Sequence, residues 1–140
     1  MKLVVRLFAA LPRRVALMMA VFALAALAHD ALAQAPAQPP AGMDTALKNM
    51  LSALQAGSVT DFVAAGDANF KAGMTQAMLD QVRSQLGPRL ARGYTSTFLG
   101  SLREQGYTVL LWKLEFKDGN DDRLITMAVK DGKVAGFFLR

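Results

Sequence analysis

The feature that most constrains this chain is a change of hydrophobic period partway along it. Up to Gly87, apolar residues recur at three- and four-residue spacing; from Tyr94 onward the chain is rich in Thr, Tyr, Phe, Val, Leu and Ile, broken only by short turn signals. A helical period followed by a strand period, with no further alternation, predicts an α+β layer: N-terminal helices packed on a curved four-stranded antiparallel β-meander. The chain contains no cysteine, so this layer must hold together without disulfides.

The first helix is expected from Asp44 as N-cap, with Met43, Leu47, Met50, Leu51 and Leu54 inward and Gly57 as its stop. Ser58 with Asp61 has the form of a capping box opening a short helix that ends near Gly66. Asp67 starts a further turn that stops at Gly73. Thr75 caps a fourth helix with Met78, Leu79, Val82 and Leu86 inward, which Gly87 and Pro88 should end. Strands are predicted over residues 92–104, 107–117, 122–130 and 133–139. The turns between them are Gln105-Gly106, residues 118–121 (DGND) and Asp131-Gly132.

Ahead of this domain lies a different kind of segment. Lys2, Arg6, Arg13 and Arg14 precede an apolar run at residues 15–28, which leads to the small-residue triplet Ala31-Leu32-Ala33. Basic start, apolar middle and Ala-x-Ala end are the three regions of a secretory signal peptide, cut after Ala33. The rival reading is an uncleaved anchor, but 14 apolar residues fall short of the roughly 20 that span a bilayer. The chain thus divides into a leader (1–33), a flexible Pro/Ala-rich tether (34–42) and one α+β domain (43–140). The expected location is the periplasm or the exterior, with membrane contact only during export.

Cleavage changes the charge argument. The whole chain carries 16 basic and 11 acidic residues; removing the leader's four basic residues and Asp30 leaves 12 against 10. With no basic stripe in what remains, no nucleic-acid partner is expected.

The chemistry is constrained by what is missing. The single histidine, His29, lies in the leader, so the mature domain has neither imidazole nor thiol. That removes Ser-His-Asp and Cys-His nucleophiles and zinc sites built on those ligands. No phosphate loop or dinucleotide fingerprint appears, and no cofactor is expected. Asp118, Asp121 and Asp122 could be read as a calcium loop, but they lack the EF-hand spacing, and a hairpin turn accounts for them. Tyr94, Phe98, Trp112 and Phe116 are the candidates for lining a pocket for a small apolar ligand; the alternative is that they fill the core.

The strand faces carry a second signal. Thr108, Leu110, Trp112, Leu114 and Phe116 point one way, and Tyr107, Val109, Leu111, Lys113 and Glu115 the other, leaving both faces apolar over the first half of that strand. Leu124, Thr126 and Ala128 oppose Ile125, Met127 and Val129, and in the last strand Phe137 and Leu139 oppose Val134 and Phe138. A sheet with one face in water should alternate cleanly. Either the helices wrap further round, or the second face meets a partner, most simply a second copy. The interface candidates are Val109, Leu111, Ile125, Met127 and Phe137.

Residues 57–139 resemble domain of unknown function 3887. The likeness is carried by residues 62–67 (FVAAGD), the segment from Met74-Thr75 to Leu86-Gly87, residues 105–109 (QGYTV), residues 114–119 (LEFKDG) and residues 130–138 (KDGKVAGFF). The resemblance implies a nuclear-transport-factor-2-like (cystatin-like) cone, a curved sheet wrapped round helices that commonly leaves a pocket and commonly dimerises. It transfers no catalytic residue. The leading expectation is therefore an exported non-enzymatic module that binds a small apolar ligand or a protein and forms a homodimer. Two alternatives stand beside it: a small acid/base enzyme of isomerase type using an Asp and a Tyr, and a purely structural interaction domain without a cavity.

Overall fold

A computed structural model describes residues 37–140. The leader assigned to residues 1–33, and the first part of the tether, lie outside the described residues. Four helices, α1 (Met43–Ala56), α2 (Val59–Phe62), α3 (Ala68–Gly73) and α4 (Gln76–Ala91), precede four strands, β1 (Tyr94–Glu104), β2 (Tyr107–Phe116), β3 (Arg123–Lys130) and β4 (Lys133–Leu139). The strands form one antiparallel sheet in the order β1-β2-β3-β4. The domain is thus α+β, helices on a meander, as the change of period predicts.

Local chemistry sets most boundaries. The Ser58 hydroxyl accepts from the Asp61 N–H at 3.3 Å and donates to the Asp61 carboxylate at 2.7 Å, which caps α2; the reciprocal half of the expected capping box is not made, because the Ser58 N–H donates to the Ala53 carbonyl at 3.0 Å. Asp67 and Thr75 accept from the N–H groups of Phe70 and Met78 and so start α3 and α4. Two-residue turns join β1 to β2 and β3 to β4, with positive φ at Gln105, Gly106, Asp131 and Gly132. These are the left-handed torsions that match the twist of flanking strands.

Four details depart from the sequence expectations. Gly42, at φ 80°, is the N-cap of α1; Asp44 lies in the first turn and pairs with Lys48 at 2.6 Å. The short helix α2 ends at Phe62 rather than near Gly66, because Ala65 and Asp67 turn their backbones to Val134. Gly87 and Pro88 do not end α4, which runs three residues further to Ala91. A proline inside a helix removes one hydrogen bond, but Leu90 is buried beyond it and Arg89 is tied to Asp118, so packing holds the last turn in place. The same packing rotates α4: Leu79, Leu86 and Leu90 face inward, whereas Met78 is 50% and Val82 39% exposed.

One core joins the layers. Leu47, Met50, Leu51 and Leu54 of α1 meet Leu110, Trp112, Leu114, Ile125 and Met127 of the sheet, none of them more than 1% exposed. The register pairs Leu110 with Met127 and Trp112 with Ile125, so these four share the helix-facing side. Two irregularities re-aim side chains. Leu99 is the extra residue of a bulge in β1, and a second bulge in β4 between Val134 and Gly136 returns Val134 to the same face as Phe137. Val134 is fully buried there, not opposed to Phe137 as strict alternation expects.

The α1–α4 connection is fixed from both sides. Gly57 takes φ 75°, a conformation that L side chains resist, and a Cβ there would lie 2.8 Å from the Arg83 guanidinium. Arg83 donates to the Gln55 carbonyl at 3.1 Å and Gln76 to the Gly57 carbonyl at 3.0 Å, satisfying groups that the end of α1 leaves open. Replacing Gly57 with Ala is expected to lower unfolding stability by roughly 1–2 kcal/mol, read as a shift in urea midpoint with an unchanged slope.

Candidate functional site

The acidic turn after β2 is already occupied by a side chain of the fold. Arg89, near the end of α4, donates to both Asp118 carboxylate oxygens at 2.8 and 3.3 Å and to the Asp121 carbonyl at 2.8 Å. Its guanidinium also stacks 3.9 Å above the Phe116 ring. The Asn120 N–H adds a 3.0 Å bond to Asp118. These donors hold the Asp118 carboxyl well below the usual carboxylate range, the Arg89 hydrogen bonds contributing most. Asp118 is thus committed to clamping α4 onto the β2–β3 turn. Sequence reading missed this pair because nothing local links residues 29 positions apart.

Of the predicted pocket residues, Trp112 is fully buried, Phe116 is 7% exposed, and Tyr94 and Phe98 pack against the core. Phe98 meets Trp112 edge-on, with ring centroids 5.1 Å apart. None of the four lines the openings described below; they stand where core filling puts them. Among the described residues the Trp112 Nε1 has no hydrogen-bond partner.

The interface candidates divide. Val109 and Leu111 stand on the outer face of the sheet, away from the helices. Ile125 and Met127 are fully buried on the helix-facing side, where Phe137 also packs. These three are therefore core residues, because the register sets them beside Trp112 and Leu110 or within reach of Phe62, whose ring centroid lies 5.4 Å from that of Phe137.

Two apolar openings flank the C-terminal half of β4. The first, about 290 Å³, is a cleft between β4 and α4 lined by Phe62, Met74, Leu79, Val82 and the stretch from Phe137 to Arg140. Among the described residues that line it, Arg140 is the only one with an ionisable side chain, and none is a carboxylate residue. The second, about 350 Å³, is a hollow on the outer face, lined among others by Tyr107, Val109, Thr126, Ala128 and Phe138. The small side chain of Ala128 forms part of its floor. A Cβ on Gly136 would approach the Phe138 ring to 3.0 Å. A shallower trough of about 630 Å³ on the outer side of α4 has a mixed lining that includes Asp80, Arg83 and Ser84. Glu115, the strand carboxylate nearest the core, instead pairs with Lys113 at 3.0 Å. Among the described residues no helix is long and apolar enough to cross a membrane, and no cluster of three or more potential metal ligands occurs.

No family model matches the chain, and no curated protein matches it. Among solved structures, an uncharacterized cystatin-fold protein from Novosphingobium aromaticivorans shares 14% identity over 69% of this chain and 95% of its own, with a TM-score of 0.35. So loose a likeness carries no argument; the α+β assignment rests on the strand order and register above.

The Asp118 clamp has a pH signature. A carboxyl whose pKa is depressed on folding adds stability above its unfolded pKa, about 3.9, and loses it as pH falls through the folded value. Acid titration of stability should therefore show a steep loss below about pH 4 in the parent protein. The Asp118→Asn variant should start lower at neutral pH and show a flatter acid limb. An unchanged acid limb in that variant would assign the acid sensitivity to other carboxylates.

Proposed function

We propose that the chain is an exported, non-catalytic binding module that docks through the outer face of its sheet, most simply against a second copy of itself. The observation that carries this reading is the composition of that face. Leu102 is 44% and Phe138 54% exposed; between them on that face lie Leu111, half-buried, and Val109, already buried at 8%. Val109 and Phe138 line a hollow with Tyr107, Thr126 and Ala128, and Glu104, Gln105 and Arg140 also line it. The outer face of an antiparallel sheet in water should instead be polar.

Four strands of about eight residues present roughly 19 by 26 Å, about 490 Å², so a standard interface of about 800 Å² per partner would also draw in the strand turns around the face. An isologous pairing requires one self-complementary patch, and the exposed Phe138 ring, which lies over Gly136 at the side of the hollow, would supply the apolar part of it. Like the resemblance to domain of unknown function 3887, the leader at residues 1–33 supports the reading, since such a module would meet its partner outside the cytoplasm. Among the described residues no carboxylate side chain lines the β4–α4 cleft.

The test is sedimentation of the exported protein over a range of micromolar concentrations. The parent protein is expected to dimerise. The double variant Leu102→Glu with Phe138→Lys should remain monomeric with an unchanged circular dichroism spectrum. A parent protein that stays monomeric throughout would sink the self-association reading.

A further inference from the structure

The β4 edge offers backbone hydrogen bonds that the fold does not use, and it does so beside the apolar cleft. Leu124 and Arg140 exchange two backbone bonds of 2.9 Å, which fixes the phase of the β3–β4 ladder. In an antiparallel pair such residues alternate with ones whose N–H and C=O point away from the neighbouring strand. Phe138 therefore faces β3, while the backbones of Phe137 and Leu139 face outward. At the start of β4 the outward groups are taken: the Val134 N–H donates to the Ala65 carbonyl at 2.9 Å and the Asp67 N–H donates to the Val134 carbonyl at 2.8 Å. Among the described residues no backbone bond reaches Phe137 or Leu139 from that side.

The cleft lies in front of these two open residues. Its strand wall is the stretch from Phe137 to Arg140, and its opposite wall is Met74, Leu79 and Val82. Met78, one turn from Val82 on α4, adds further exposed apolar surface. The other sheet edge differs, because the bulge at Leu99 interrupts its ladder.

We propose that the groove between β4 and α4 is a binding site for an extended apolar segment of another protein, which adds to the sheet as a fifth strand. Its backbone would bond to Phe137 and Leu139, and every second side chain would enter the cleft. Open strand hydrogen bonds select an extended chain over a helix or a lipid, neither of which could satisfy them. The chain's own tether does not fit either, because Pro36, Pro39 and Pro40 lack the N–H groups a strand needs. The Arg140 side chain makes no ion pair or hydrogen bond among the described residues, so it favours a segment with a carboxylate at that end. The two sites share Phe138 and Arg140, but the groove uses the edge backbone of Phe137 and Leu139 and the outer-face contact uses side chains, so neither reading depends on the other.

The test uses the exported protein and a fluorescein-labelled heptapeptide of alternating valine and threonine with an aspartate at each end, followed by fluorescence anisotropy. Micromolar binding is expected. Leu139→Ala keeps the outward N–H and should bind within about threefold of the parent, whereas Leu139→Pro removes that donor without breaking the β3–β4 ladder and should bind about tenfold more weakly. Val82→Asp, on an exposed helix position, should also weaken binding and serves if the proline variant does not fold. No binding by the parent protein overturns the proposal, as does equal binding by the Ala and Pro variants of Leu139. Self-association that Leu139→Pro abolishes but the Leu102→Glu, Phe138→Lys pair leaves intact would overturn it too, assigning the groove to a second copy.

Discussion

The rest of the structure depends on one contact: the helix-facing side of β2 and β3 pressed against α1. Trp112, Leu110, Leu114, Ile125 and Met127 contribute from the sheet, and Leu47, Met50, Leu51 and Leu54 from the helix. A chain without cysteine has no covalent constraint on its unfolded state. Burial of this kind, worth about 1.5–3 kcal/mol per large apolar side chain, must then offset the loss of chain entropy. Trp112 shows how strongly packing dominates here, since its indole N–H is buried with no partner among the described residues. An unpaired donor of that type costs about 1–3 kcal/mol, and the ring is retained because its apolar surface gains more.

Once α1 covers the sheet, the other elements have limited freedom. A two-layer domain has one shared interior, and here α4 completes it through Leu79, Leu86 and Leu90. The Arg89–Asp118 clamp then carries α4 past Pro88, where local chemistry alone would stop it. The bulge in β4 serves the same interior by turning Val134 inward. Burying Val134 also brings its backbone within reach of residues 65–67, and that short parallel bridge occupies the beginning of the edge. The free part of the edge is what remains after the core has been completed.

How much of this was legible in the sequence follows from the range of each interaction. The capping residues Ser58, Asp67 and Thr75 act over three positions and can be read directly. The strand limits could be read because their turns carry Gly106, Gly119 and Gly132 at positive φ. Asp44 and Pro88 misled because each has a strong local preference that a neighbouring turn or a distant contact overrides. The sheet faces were harder. Period-two alternation identifies Val109 and Leu111 as outward only if Trp112 is known to be inward, and it fails at each bulge. Ile125, Met127 and Phe137 lie on the helix-facing side, which the sequence does not reveal because no local signal states which face of β3 and β4 meets the helices.

The pocket residues fail for a related reason. Aromatics with polar handles suit a binding site and a core equally, and only the third dimension separates the two. In this domain Trp112, Phe116, Phe98 and Tyr94 fill the space that a cone would otherwise leave open. The unused apolar surface therefore moves to the periphery, to the outer face around Phe138 and to the gap beside β4. A filled interior with apolar surface at its margins suits a domain that recognises other chains better than one that encloses a small molecule. Extended surfaces and strand edges can satisfy a polypeptide backbone, whereas a closed core has no room for one.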